Sequence, residues 1–274
     1  MDSASVHFSL DLVSGCGSLL SPEQKTALQT SLVILKRNYK FTRVLFWGKI
    51  FGIKADYYIA RGLGADEMRD KTILYSLNCM DWNLLPPATK DMIAEASVIK
   101  GWFMGDPSHE YEYSETKKTG EEDQEEETSI KIKEEHRLTA TISLIDDDVA
   151  VVPRGAYIQT PHGHIHTNRS FQGLSMTEAK KLNNYFHFTE PIYLKKKSLL
   201  EKADMDPSID FLDSLEEDVP KGSWSLQSEK GNSVVLLRSL LWLGLSFYHI
   251  PMTSHHGYIY MGTGQKNIDL PFML

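Results

Sequence analysis

Cysteine is scarce in this chain: two in 274 residues, Cys16 and Cys79. Two cysteines give no disulfide framework and cannot fill a four-ligand zinc site. Both are read as free thiols in a reducing compartment. Long apolar runs are missing too. The most apolar stretch, Val234 to Tyr248, carries Arg238 and Gly244. It falls short of the roughly 20 apolar residues that a spanning helix needs, so it is read as buried strand. Met1-Asp2-Ser3 has no basic segment ahead of an apolar one, so no secretory signal is expected. Without that route the Asn168-Arg169-Ser170 sequon is a chance match. Positive charge is in deficit: 29 Lys and Arg against 37 Asp and Glu leave a net charge of −8. That balance argues against a sequence-independent grip on nucleic acid. Lys180-Lys181 and Lys195-Lys196-Lys197 lie among acids, with no aromatics interleaved as an RNA-binding sheet would require.

What is present reads as an ordinary globular chain. Ser21-Pro22-Glu23-Gln24 places a capping serine before a proline, with Gln24 set to reach back. Leu28, Leu32 and Leu35 then make one apolar helical face, ending near Arg37. Residues before Ser21 are read as a loose lead-in. Arg43 to Phe51 and Asp56 to Ala60, rich in β-branched and aromatic residues, predict a hairpin. A third strand is expected over Thr72–Leu77, with Ile73, Tyr75 and Leu77 on one face. A loop closed by Pro86-Pro87 follows. A helix is expected from about Ala88 with Met92, Ala96 and Ile99 buried.

Leu138, Ile142 and Ile145 fit a helix, while Leu138, Ala140, Ile142 and Leu144 fit a strand; the helix is preferred because Asp146-Asp147-Asp148 would stop it, with a strand from Val149. Ser175-Met176-Thr177-Glu178 is a second capping box, predicting a helix through Ala179, Leu182 and Phe186. Leu194 to Asp218 reads as short surface helical pieces. The remainder is β again: Trp224–Gln227, Val234–Trp242, Leu245–Ile250 and Tyr258–Met261.

Glu121 to Glu127 holds six acids in seven positions, three quarters of the net charge. Such a block repels itself and buries nothing. The segment at about 106–130 is therefore expected to be an acidic, disordered loop interrupting one domain over 1–274. An acidic tether for a basic partner is the alternative reading. Strands at both ends with helices interleaved, and no βαβ alternation, give an α+β fold: a single domain with a mainly antiparallel sheet.

Chemistry is thin. His162, His164 and His166 alternate along the chain, and three imidazoles on one strand face can hold zinc. Pro161 and Gly163 disfavour a regular strand there, and no carboxylate partner accompanies them, so a His-rich surface turn is preferred. His255-His256 reads as a turn before Gly257. Gly262-Thr263-Gly264 lacks the P-loop spacing, and Gly15-Cys16-Gly17-Ser18 lacks the nucleophile-elbow frame. Cys16 reads as an inert thiol and Cys79 as packing. No catalytic, cofactor or metal residue is assigned. The aromatics at Phe46-Trp47, Tyr57-Tyr58, Trp224, Trp242, Phe247-Tyr248 and Tyr258/Tyr260 are read as core, with a fraction left to bury against partners.

Several stretches carry a resemblance over nearly the whole chain. They are Leu45 to Ile53 with Asp56 to Ala60, Val152 to Ala156, Leu174-Ser175 through Phe188, and Pro220 to Ser225. The ending from Ser239 through Gly264, with Asp269-Leu270-Pro271-Phe272-Met273-Leu274, completes the set. Together they resemble the radial spoke head family. The resemblance implies a non-catalytic subunit of the spoke head in the axoneme of motile cilia and flagella. Such heads pass signals from the central pair that regulate dynein. It implies other head subunits, of the radial spoke head protein 1, 4 and 6 types, and the spoke stalk as partners. It also implies transient contact with the central pair apparatus, and no cofactor, nucleic acid or membrane. The competing readings are a soluble assembly adaptor or ligand-binding module, and a metal-dependent enzyme using His162, His164 and His166.

Overall fold

The computed structural model describes residues 1–17, 20–118 and 125–273. Its frame is an eight-stranded sheet in which two antiparallel meanders meet edge to edge. The first meander is β1 (Arg43–Ile50), β2 (Tyr57–Leu63), β3 (Lys71–Ser76) and β4 (Asn83–Leu84). Before β1 come α1 (Val6–Leu12) and α2 (Pro22–Asn38). After β4 come α3 (Lys90–Val98), a ribbon of β5 (Glu110–Lys118) and β6 (Glu125–Lys133), and α4 (Glu134–Val149). Two small sheets follow. In these, β7 (Val151–Pro153) pairs with β10 (Tyr185–His187), and β8 (Tyr157–Gln159) pairs with β9 (Ile165–Thr167). Short helices α5 (Tyr193–Lys196) and α6 (Leu199–Ala203) lead to the second meander. That meander is β11 (Trp224–Glu229), β12 (Val234–Ser239), β13 (Leu245–His249) and β14 (His256–Gly262), followed by α7 (Leu270–Met273). The meanders join where β14 lies parallel to β1, Gly48 opposite Tyr260. Every other pairing in the sheet is antiparallel.

The sheet is covered on both faces, and this explains its composition. On one face Leu28, Leu32 and Leu35 of α2, with Val6 and Leu10 of α1, pack on Val44, Phe46, Tyr58, Leu74 and Leu236. On the other, Leu138, Ile142 and Ile145 of α4 pack on Trp47, Tyr57, Ile59, Leu237, Phe247 and Tyr260. Each large side chain so buried contributes roughly 1.5–3 kcal/mol. A strand buried on both faces loses its alternation. All of β2 is buried. In β3 the expected face of Ile73, Tyr75 and Leu77 gives way to buried Leu74 and Tyr75, with Leu77 exposed. A third cluster, around Val152, Tyr157, Ile165, Phe186 and Phe211, fills the space between the small sheets.

Several local expectations hold. Ser21 and Gln24 form the full capping box, with Gln24 N–H donating to Ser21 Oγ at 3.1 Å and Ser21 N–H to Gln24 Oε1 at 3.0 Å. The first hairpin pairs from Arg43↔Leu63 to Ile50↔Tyr57, with a bulge between Phe46 and Gly48.

Others need correction. The lead-in before Ser21 contains α1, whose Val6, Leu10 and Leu12 are buried. The helix expected from Ala88 is capped by Thr89 and buries Ala96 fully, while Met92 and Ile99 stay half-buried. Asp146-Asp147-Asp148 do not stop α4, which runs to Val149. The strand from Val234 ends at Ser239, whose Oγ accepts the Leu241 and Trp242 N–H groups at 3.2 Å and turns the chain. The helix expected from Ser175 is two single 3-10 turns, Glu178–Lys180 and Leu182–Asn184, followed by β10. Ser175 Oγ does accept from Glu178 N–H at 3.2 Å. The Glu178 carboxylate, however, is taken by Asn184 Nδ2 at 2.8 Å instead of reaching back. Asn184 also donates to the Glu178 carbonyl, and Tyr185 Oη to the Ala179 carbonyl at 2.7 Å, which closes the chain into turns.

Of the segment expected as an acidic loop, residues 119–124 lie outside the described residues. The flanking backbone pairs as the β5–β6 ribbon from Glu110↔Lys133 to Lys118↔Glu125.

Candidate interaction surface and its anchoring network

Two buried acids, one at each end of α4, fix that helix and what hangs from it. Glu134 opens α4 and is fully buried. It accepts from Tyr57 Oη at 2.6 Å and from Tyr111 Oη, and from the Met104 and Gly105 N–H groups at 2.7 and 2.6 Å. Burial alone raises a carboxyl group. Here the tyrosine and backbone donors outweigh it and hold Glu134 below its ordinary value. The same contacts push Tyr57 well above the usual phenol range, burial first and the Glu134 hydrogen bond second. One turn on, Arg137 lies over the Phe103 ring at 4.3 Å and the Tyr111 ring at 5.0 Å, and donates to the Gly101 carbonyl at 2.5 Å. Tyr111 is in β5, so this cluster roots the ribbon to sheet and helix together.

Glu134→Gln is expected to lower stability by about 1–3 kcal/mol, because one amide cannot accept from both groups of donors. The depressed carboxyl sets the sign of the pH dependence. Its contribution is fully present above the ordinary Glu value of about 4.3 and is lost as pH falls through the lower folded value. In urea melts the gap between wild type and Glu134→Gln should shrink below pH 4. A gap that does not change with pH would refute the assignment.

At the other end Asp146 is buried and pairs with Arg61, itself 3% exposed. Trp47 Nε1 donates to Asp146 at 2.8 Å, and Arg61 also donates to Tyr258 Oη at 2.7 Å. Asp148 accepts from Trp242 Nε1 at 2.8 Å and pairs with Lys266 at 2.7 Å. Carboxylates at a helix C-terminus oppose its dipole. These cationic and indole partners offset that cost and let α4 run through all three aspartates. Burial, and then the neighbouring Asp146, raises the Asp147 carboxyl. Sequence reading missed this network. The available signals were Arg61 inside an otherwise apolar strand, and Asp146 continuing the Leu138–Ile142 row of the helix.

The residues weighed for chemistry are placed apart. His162 sits in the β8–β9 turn, where Gly163 takes a φ of 83°. His164 and His166 are exposed with ring centres 6.3 Å apart, and Ile165 between them is buried. Among the described residues no group of three His, Cys, Asp or Glu is placed to hold a metal ion. Burial pushes His249 down to about 4 in the interior, and desolvation pushes the half-buried His256 beside the cavity down to about 3. Cys79 is buried, its thiol raised to about 12 by that burial. Gly264 is in a turn at a φ of 72°. A cavity of about 310 Å³ between β1, β2 and the β14 start is lined by charged groups that already have partners. Arg43 there holds Asp2, Glu67 and Thr167.

The surface offers more than the interior. Leu199 and Leu200 on α6 are 89% and 85% exposed, and Ile192 and Tyr193 stand out beside them. Their arm is held by buried Asp213, which accepts the Tyr193 and Leu194 N–H groups at 2.9 and 2.7 Å. Beside it is a groove of about 390 Å³ lined by Met68, Leu194, Met205 and Phe211. A second groove, of about 530 Å³, runs along α2 between Ile34, Tyr39, Met80 and Trp82. Phe272 of α7 is 88% exposed. Exposed apolar groups on this scale mark protein contact surfaces. No helix among the described residues is long and apolar enough to cross a membrane.

The family model described as "Radial spokehead-like protein" matches residues 5–174. The "Radial spoke head protein 9 homolog" of Bos taurus is 60% identical over the full length of both chains. Its namesakes from Homo sapiens and Danio rerio are each 59% identical, again end to end. A scaffold whose buried charges are spent on holding helix to sheet, with apolar groups left at its surface, and whose sequence matches this family throughout, belongs to the radial spoke head family.

Proposed function

We propose that this chain is a structural, non-catalytic subunit of the axonemal radial spoke head in motile cilia and flagella. There it helps assemble the head and pass on central-pair signals that regulate dynein-driven beating. End-to-end identity with radial spoke head protein 9 homologues is the observation that carries the reading. The architecture supports it. The buried polar side chains described above serve packing, and the exposed apolar groups suit docking to neighbours. Its partners are other head subunits, of the radial spoke head protein 1, 4 and 6 types, and the spoke stalk.

The 274 residues act as one domain into which the acidic segment is inserted. In support, β5 and β6 pair with each other and not with the main sheet. Salt extraction of isolated axonemes tests the reading. A resident subunit stays with the doublet microtubules at ionic strengths that strip loosely held factors. Recovery only in the soluble fraction would favour an assembly adaptor instead.

A further inference from the structure

The two edges of the main sheet are treated differently. At one, β4 has two residues and runs into Pro86-Pro87, which cannot donate to another strand. This is how proteins blunt an edge. At the other, β11 has six residues with no proline, and among the described residues no strand pairs with its outer side.

The ladder shows which groups face outward. The Leu240 N–H donates to the Ser223 carbonyl, and the register places Trp224 opposite Ser239. Residues 225, 227 and 229 therefore exchange bonds with β12. The N–H and C=O groups of Trp224, Leu226 and Ser228 point away from the sheet.

We propose that β11 pairs antiparallel with β11 of a second copy of this chain, about a two-fold axis at Leu226. In that register Leu226 faces Leu226 of the other copy. Trp224 faces Ser228, Ser225 faces Gln227, and Ser223 faces Glu229, each pair made twice. The outward groups of Trp224, Leu226 and Ser228 are those that meet, so the unpaired backbone of each copy satisfies the other. Charge agrees with the register. Within positions 223 to 229 no like charges stand opposite, and Glu229 ends beside the other copy's turn carrying Lys221. An interface that is its own complement is what a two-fold dimer requires. A stable interface buries on the order of 1,000 Å². A single six-residue edge buries less, so the dimer forms with rising concentration. This inference stands on the strand edge and does not rest on spoke membership.

The test uses the full chain carrying Cys16→Ser. Ser225→Cys and Gln227→Cys chains are mixed at high concentration under mild oxidation. The facing pair predicts a covalent dimer in the mixture and none in either chain alone. Ser228→Pro, which removes an outward N–H and leaves the β12 ladder untouched, should abolish the cross-link while preserving the melting curve. Sedimentation of the unsubstituted chain should show the mass rising toward twice the monomer. No covalent dimer in the mixture, or equal dimer in the single-cysteine samples, overturns the proposal. So does a mass doubling without the cross-link, which would place self-association elsewhere. A chain that stays monomeric also overturns it and leaves the edge to a strand from another protein.

Discussion

Replacing Gly48 by alanine should abolish the folded chain, not merely weaken it. Gly48 has a φ of 148° and sits in the bulge where β1 meets β14. A Cβ there would lie 2.0 Å from the Tyr260 carbonyl oxygen and 2.8 Å from the Tyr260 nitrogen. These are backbone atoms of a strand paired on both sides, so no side chain can swing away. Relief requires opening the parallel join between the two meanders. That join divides the sheet into its first four and last four strands. The bulge also switches the faces along β1, so that Val44 and Phe46 enter one core while Ile50, an even number of residues on, enters the other. A cost above roughly 4 kcal/mol is expected, in the range where domains fail to fold. Gly231→Ala is the control. Its φ is 68° with nothing within 4 Å, so it should cost only the backbone strain, about 1 kcal/mol. Soluble yield and thermal melts of the two variants measure the contrast. Similar melting temperatures would contradict the geometry.

The second large effect is expected at Asp146. Asp146→Asn keeps an acceptor for Trp47 Nε1 but strands the Arg61 guanidinium, whose side chain is 4% exposed. Breaking a buried pair from one side costs about 3–5 kcal/mol. Arg61→Met strands the carboxylate in the same way. The double variant buries no charge, and its cost should be well below the sum, with a coupling of up to about 3 kcal/mol. Urea denaturation of all four proteins closes the cycle. Additive costs would show that the pair does not act as a unit.

The parts of this fold that were legible in the sequence are the ones set by neighbours. Ser21 and Gln24 capped α2 as their spacing predicts, and the β-branched run from Arg43 gave the hairpin. The C-terminal strands fell near their expected places. Legibility failed where distant partners override local preference. Asp146 to Asp148 look like a helix stop. They become part of a helix only because Arg61, Trp47, Trp242 and Lys266 arrive from elsewhere. The box at Ser175 had the right residues, but Asn184 took the glutamate. The pairing of β1 with β14 spans most of the chain and depends on Gly48 leaving room for the Tyr260 backbone. The candidate surface was hidden for a related reason. Hydrophobicity alone does not separate Leu199 and Leu200, which are exposed, from Leu236 and Leu237, which are buried.

If this chain is a resident of the spoke head, it occupies a fixed place there. Electron cryotomography of axonemes tests it directly, with a small rigid density tag inserted between residues 119 and 124. The ribbon leading to that point is rooted by Tyr111, Glu134 and Arg137, so the tag reports the position of the whole chain. Added density is expected at the spoke heads, repeating with the spokes. Intact, untagged spoke heads in cells where the tagged protein is the only copy would contradict it.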